Sequence, residues 1–116
     1  MSKYNPLDQA AIAELKQIAG EKYVWTEHDK MEPYSHDEVT GEKYIHYPEA
    51  VVLPETAAQV AEILKLANRR LIPVVPRGAG TSLSGGAIPL GDGILLVMAK
   101  LNRVLDIDYE NRCVVV

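Results

Sequence analysis

The chain of 116 residues has a single cysteine, Cys113, which excludes an internal disulfide and any cysteine-based metal set and fits a reducing cytosol. Three valines follow it, so a buried thiol is expected there. No apolar run approaches the roughly 20 residues needed to cross a bilayer, and the polar amino terminus has no signal-peptide core, so a soluble, cytoplasmic location is expected. Basic clusters are absent beyond Arg69-Arg70 and the formal net charge is −4, which argues against a nucleic-acid partner, whose binding needs a basic patch. A Walker A loop is excluded because no Gly-Lys pair occurs, and the dinucleotide fingerprint fails where its third glycine is replaced by Leu83. His28, His36 and His46 are separated by eight and ten residues, which matches no helix-face or hairpin ligand pattern, so no metal site is expected.

What remains reads as one α/β domain at most, large enough to remove roughly two thirds of the unfolded chain's surface from water. Residues 1–47 form an N-terminal helix and an irregular lead-in, and residues 48–116 carry the sheet. Asn5 is expected to cap the first helix with Pro6 at its first position, and Leu7, Ala11, Leu15 and Ile18 recur at helical spacing until Gly20 stops it. From Glu21 to Tyr47 the chain is polar, and only Tyr23-Val24-Trp25 offers a strand-like patch, so loops with little regular structure are expected.

A β-α-β unit follows. Val51-Val52-Leu53 is a short buried strand ended by Pro54. Thr56, with Gln59 three residues on, makes a capping box for a helix whose Val60, Ile63, Leu64 and Ala67 share a face, leaving Lys65, Asn68 and Arg69 outward. Ile72-Pro73-Val74-Val75 is the next strand, and a right-handed crossover makes the two parallel with their carboxyl ends on one side. Ile94 to Met98 forms a third apolar run. Val104 to Asp108 alternates apolar and acidic residues, and Cys113 to Val116 returns antiparallel beside it, giving a mixed sheet of about four or five strands. Because the sequence stops inside an apolar β-branched run, a truncated piece of a longer protein is expected.

The densest signal is Pro76-Arg77-Gly78-Ala79-Gly80-Thr81-Ser82-Leu83-Ser84-Gly85-Gly86, placed directly after the second strand of the unit. Open α/β sheets hold cofactors there. Gly78 and Gly80 can take positive φ, so consecutive N–H groups can converge on an anion such as a diphosphate, with the hydroxyls of Thr81, Ser82 and Ser84 as further donors. The plain alternative is a surface turn, since Gly and Ser clusters mark loops. Pro89, Gly91 and Gly93 interrupt any following helix, so the donors would be mostly main-chain amides rather than a helix terminus.

This loop, together with Pro48-Glu49-Ala50-Val51-Val52-Leu53-Pro54, the intervening helix and Tyr34-Ser35-His36-Asp37, resembles the FAD-binding domain of the vanillyl-alcohol oxidase type, also termed PCMH-type. Within that superfamily it is most similar to the group of glycolate oxidases and D-lactate dehydrogenases. The resemblance implies that the stretch Arg77, Gly78, Ala79, Gly80, Thr81, Ser82 binds the FAD pyrophosphate. It also implies that Gly85 and Gly86 let the isoalloxazine ring or ribityl chain pass, and that Val52 and Pro54 shape the flavin or adenine wall. Arg77 has two readings: compensation of diphosphate charge, or support of the loop through a surface ion pair. Some members attach flavin through a histidine at the position of Thr81, so non-covalent FAD is implied.

Enzymes of this kind are longer, and the resemblance implies that the rest of the flavin cleft and a domain binding a 2-hydroxy acid lie outside this chain. No catalytic residue is nominated. Other subunits or an electron-transfer partner are implied as possible associates. Two other readings stay open at this point: an interaction module exposing the edge at Cys113 to Val116, and a fragment of another superfamily flavoenzyme such as a nucleotide-sugar reductase.

Overall fold

The computed structural model describes residues 3–116. Its first helix, α1 (Gln9–Ala19), is capped by Asp8, whose carboxylate accepts from the Ala11 N–H at 2.7 Å. Asn5 is therefore not the cap. It ties the amino-terminal stretch to the end of a later helix, its Nδ2 donating to the Arg70 carbonyl and its N–H to that of Leu71. Gly20 ends α1 at φ +95°, donating its N–H to the Lys16 carbonyl.

The lead-in is more ordered than its composition suggests. It contains 3-10 turns at Glu21–Tyr23, Glu32–Tyr34 and Glu42–Tyr44, a single helical turn α2 (His28–Met31), and the two-residue strand β1 (Val24–Trp25). Aromatic contacts hold it: Trp25 and Tyr34 meet with centroids 5.8 Å apart, and the His28 ring stacks on Tyr47 at 3.8 Å.

The β-α-β unit comprises β2 (Ala50–Val52), α3 (Ala57–Arg70) and β3 (Val74–Arg77). Thr56 caps α3 by accepting the Gln59 N–H at 3.1 Å, while Gln59 Oε1 reaches past the cap to the N–H of Glu55 at 2.7 Å. On α3, Ile63, Leu66 and Ala67 are buried, whereas Leu64, expected inside, is 42 % exposed. The apolar stripe runs through the i, i+3, i+4 set starting at Ile63, and Leu64 falls beyond its edge. Leu71 ends α3 in the left-handed region, so Ile72 and Pro73 are connector and β3 begins at Val74.

β4 (Ile94–Val97) is the keystone of the sheet. The strand order is β1-β2-β4-β3: β4 lies between β2 and β3 and is parallel to both, and β1 is antiparallel at the β2 edge. The two strands of the crossover unit thus never touch each other. Alternation along the strands divides the core. Val24, Val52, Ile94 and Leu96 face α1 and α3, while Val51, Leu53, Leu95 and Val97 face Met31 and the aromatic residues of the lead-in. Both faces are covered, which is why β4 reads as a continuous apolar run. Each fully buried Val, Leu or Ile contributes about 1.5–3 kcal/mol relative to exposure.

β5 (Asp106–Asp108) and β6 (Cys113–Val115) form a separate antiparallel ribbon instead of extending this sheet. Apart from half-buried Asp108 its residues are exposed, Cys113 included, which corrects the expected buried thiol. The valines after Cys113 make a β-strand, but no second layer covers them among the described residues.

The helix face can be checked by chemical denaturation. Leu66→Ala is expected to cost about 2–5 kcal/mol as a buried truncation, whereas Leu64→Ala costs less than about 1 kcal/mol. Equal losses would contradict the orientation of α3.

Candidate functional site: a glycine loop at the carboxyl ends of β3 and β4

The glycine loop leaves β3 at Arg77 and returns to β4 through Ile88 and Pro89, both buried. It lies at the carboxyl end of the parallel strands, as expected. Gly80 and Gly85 adopt φ of +73° and +72°, while Gly78 does not have positive φ, so the left-handed turn sits at Gly80 alone within the first half of the loop. Among the described residues, the N–H groups from Gly78 to Leu83 have no protein acceptor, and the Thr81 hydroxyl makes no hydrogen bond. Ser82 turns its hydroxyl inward to accept the Ser84 N–H at 3.2 Å.

Beneath the loop lies Arg77. It is 6 % exposed, and its guanidinium donates to main-chain carbonyls rather than to a carboxylate: His36 at 2.7 Å, Pro33 at 3.4 Å, Tyr34 at 3.5 Å and Ala87 at 3.5 Å. A cation–π contact with Tyr34 adds to this, 5.5 Å from the ring centroid. The expected surface ion pair is therefore replaced by a buried cage of carbonyls. Burial pulls the guanidinium pKa below its ordinary value, and the nearby Asp37 charge pulls it back up. A Cβ at Gly80 would collide with this guanidinium, so Gly80 is required by both its φ and its floor.

Asp37 is the site residue that sequence reasoning missed. It is buried, one carboxylate oxygen accepting the Val39 N–H at 2.8 Å and the other the Gly85 N–H at 3.1 Å. The Glu38 N–H donates to the Ser82 carbonyl at 3.2 Å. An Asp followed two residues later by its own N–H partner is an Asx-turn pattern, and that was the available signal. Its reach across to Gly85 had none.

The remaining expected residues divide. Ala79 and Gly86 are on the loop's outer course, and Pro54 is buried at the exit of β2. Val52 is fully buried with its side chain in the helix-side core, so the structure does not bring that side chain to the loop. A cavity of about 600 Å³ is lined by Pro73, Val75, Pro89 and Leu90, so it borders the loop's return to β4 and none of the residues from Gly78 to Gly86. Among the described residues, no group of histidine, cysteine and acidic side chains is placed to hold a metal.

Comparison with known proteins decides what this loop belongs to. The family described as FAD binding domain matches residues 48–116. The chain belongs to that FAD-binding family. It is 49 % identical over 80 residues to glycolate oxidase subunit GlcD of Escherichia coli (strain K12), covering 69 % of this chain and 16 % of that protein. It is 36 % identical over 109 residues to D-lactate dehydrogenase of Anaerostipes hadrus, covering 94 % and 22 %. Among solved structures, p-cresol methylhydroxylase with substrate bound matches with a TM-score of 0.77 and 27 % identity, over 90 % of this chain and 21 % of that one. The chain thus spans about a fifth of the length of the relatives it matches, and its mixed α+β fold is that of a PCMH-type FAD-binding domain.

The two leading glycines of the loop are expected to differ in what they tolerate. Gly78→Ala meets open space and leaves thermal unfolding unchanged, whereas Gly80→Ala lowers stability by about 1–3 kcal/mol through strain at positive φ and collision with Arg77. Equal behaviour of the two variants in a melting experiment would contradict this floor.

Proposed function

We propose that this chain supplies the diphosphate-binding part of a non-covalent FAD site in a flavin-dependent oxidoreductase acting on a 2-hydroxy acid such as glycolate or D-lactate. One observation carries the reading. Among the described residues, the N–H groups from Gly78 to Leu83 have no protein acceptor, and they follow directly on the carboxyl end of β3 in a chain of the FAD-binding family. Hydrogen bonds to a charged acceptor contribute about 1.5–3 kcal/mol each, so a few well-aimed amides suffice for a diphosphate. Thr81 can add a hydroxyl donor, and its standing where some relatives carry an attaching histidine supports a non-covalent flavin.

Bound FAD supplies the two-electron redox chemistry. The residues here bind and orient it: Gly78 to Ser82 at the diphosphate, Gly85 and Gly86 where the ribityl chain or ring passes, and Pro54 at the wall. The substrate class is supported by the relatives, one a glycolate oxidase component and the other a D-lactate dehydrogenase. Groups that hold a substrate carboxylate and take its hydroxyl proton are assigned to the remaining four fifths of such proteins. GlcD is itself one subunit of its oxidase, which supports assembly with further chains. No helix among the described residues is long and apolar enough to cross a membrane, and a reducing, cytoplasmic setting is part of the proposal.

The β5–β6 ribbon favours a second, compatible reading. Leu105, Ile107, Val114 and Val115 are each about half exposed or more, and such an edge pairs readily with further strands. Light scattering separates the readings, since a tight dimer indifferent to flavin would favour an assembly module alone.

Amide-resolved NMR titration with FAD or ADP is expected to shift the Gly78 to Leu83 signals, whereas riboflavin, which has no diphosphate, leaves them in place. Gly80→Val abolishes the response and Cys113→Ser preserves it. Shifts confined to other parts of the chain, or flavin retention by Gly80→Val, would overturn the assignment.

A further inference from the structure

We infer that Arg77 and Asp37 are positioning residues for the flavin diphosphate: they act through the main chain to aim the Gly78 to Leu83 N–H groups, and neither side chain touches the ligand. The inference rests on the proposed flavin reading and assigns roles that the glycine motif by itself does not.

Segment 33–38 clamps the loop at three points. The Arg77 guanidinium links the carbonyls of Pro33, Tyr34 and His36 to that of Ala87 at the loop's exit, the Glu38 N–H holds the Ser82 carbonyl, and Asp37 holds the Gly85 N–H. Both terminal nitrogens of Arg77 are engaged with carbonyls, so the group that a phosphate ligand would present outward is turned inward. The guanidinium also fills the space under Gly80, which is itself buried. A lysine cannot do this work, because one ammonium cannot span carbonyls on both sides of the cage. Asp37 makes the distinction sharp, since a carboxylate near a diphosphate opposes binding by charge but supports it by geometry.

The test measures hydrogen exchange without flavin and FAD affinity by NMR titration in Arg77→Lys, Arg77→Met and Asp37→Ala. Both Arg77 variants are expected to lose protection at the Glu38 and Gly85 amides and to weaken FAD by about tenfold or more, the lysine faring no better than methionine. Asp37→Ala is expected to lose protection at Glu38, whose own acceptor the substitution does not remove, and also to weaken FAD. If Arg77→Lys keeps most of the affinity with Glu38 and Gly85 still protected, Arg77 is a phosphate ligand and the inference falls. Tighter FAD binding by Asp37→Ala would overturn it as well, by showing that charge dominates. Protection at Leu95 and Val97 reports whether each variant is folded; should Arg77→Met fail that check, Asp37→Ala decides in the same two ways. If the unaltered chain shows no FAD response at Gly78 to Leu83, the functional reading fails, whereas the flavin-free exchange data still decide whether the clamp exists.

Discussion

A buried charge whose hydrogen bonds go to main-chain carbonyls is the constraint on which the site depends. Taking a guanidinium out of water costs several kcal/mol unless its donors are met, and at Arg77 they are met by carbonyls from two segments distant in sequence. Each partner is a backbone group, so satisfying the charge dictates where the backbone runs. The lead-in is held against the sheet and the loop is held over the lead-in by the same group.

That arrangement explains why a polar stretch between α1 and β2 is ordered. Its side chains cover the second face of the sheet through Met31, Tyr34 and Tyr47, which pack with Val51, Leu95 and Val97. Its main chain then supplies the acceptors for Arg77 and the donor to Ser82. Apolar cover and polar docking come from one short segment, and the two requirements fix its path better than either alone. α1 plays the matching part on the opposite face, where ion pairs from Glu14 to Arg69 and Arg70 fasten it to α3.

Periodicity made the two long helices, α1 and α3, and the three parallel strands legible, because burial on one or both faces leaves a pattern in the letters. The position of the glycine loop was legible for the same reason: it follows an apolar strand that a crossover orients. Other features were not. The insertion of β4 between β2 and β3 depends on long-range pairing that no local pattern encodes. Leu64 sits at the edge of a helical stripe, where a step of one residue decides burial. The fate of Arg77 depends on carbonyls, and carbonyls belong to every residue type. An arginine beside glycines reads as a phosphate ligand or a surface charge, and only the folded chain shows the cage. Cys113 misled because β-branched neighbours signal a strand but do not say what covers it.

The place of β4 also has a bearing on how the domain assembles. β2 and β3 come earlier in the chain, yet each finds its parallel hydrogen-bonding partner only in residues 94–97. Until β4 pairs, the helix crossover spans a slot one strand wide, and filling it requires non-local contacts, a class that is slow to form. Residues 78–93 are the tether that delivers the missing strand, so the loop acquires its shape in the same event that completes the sheet.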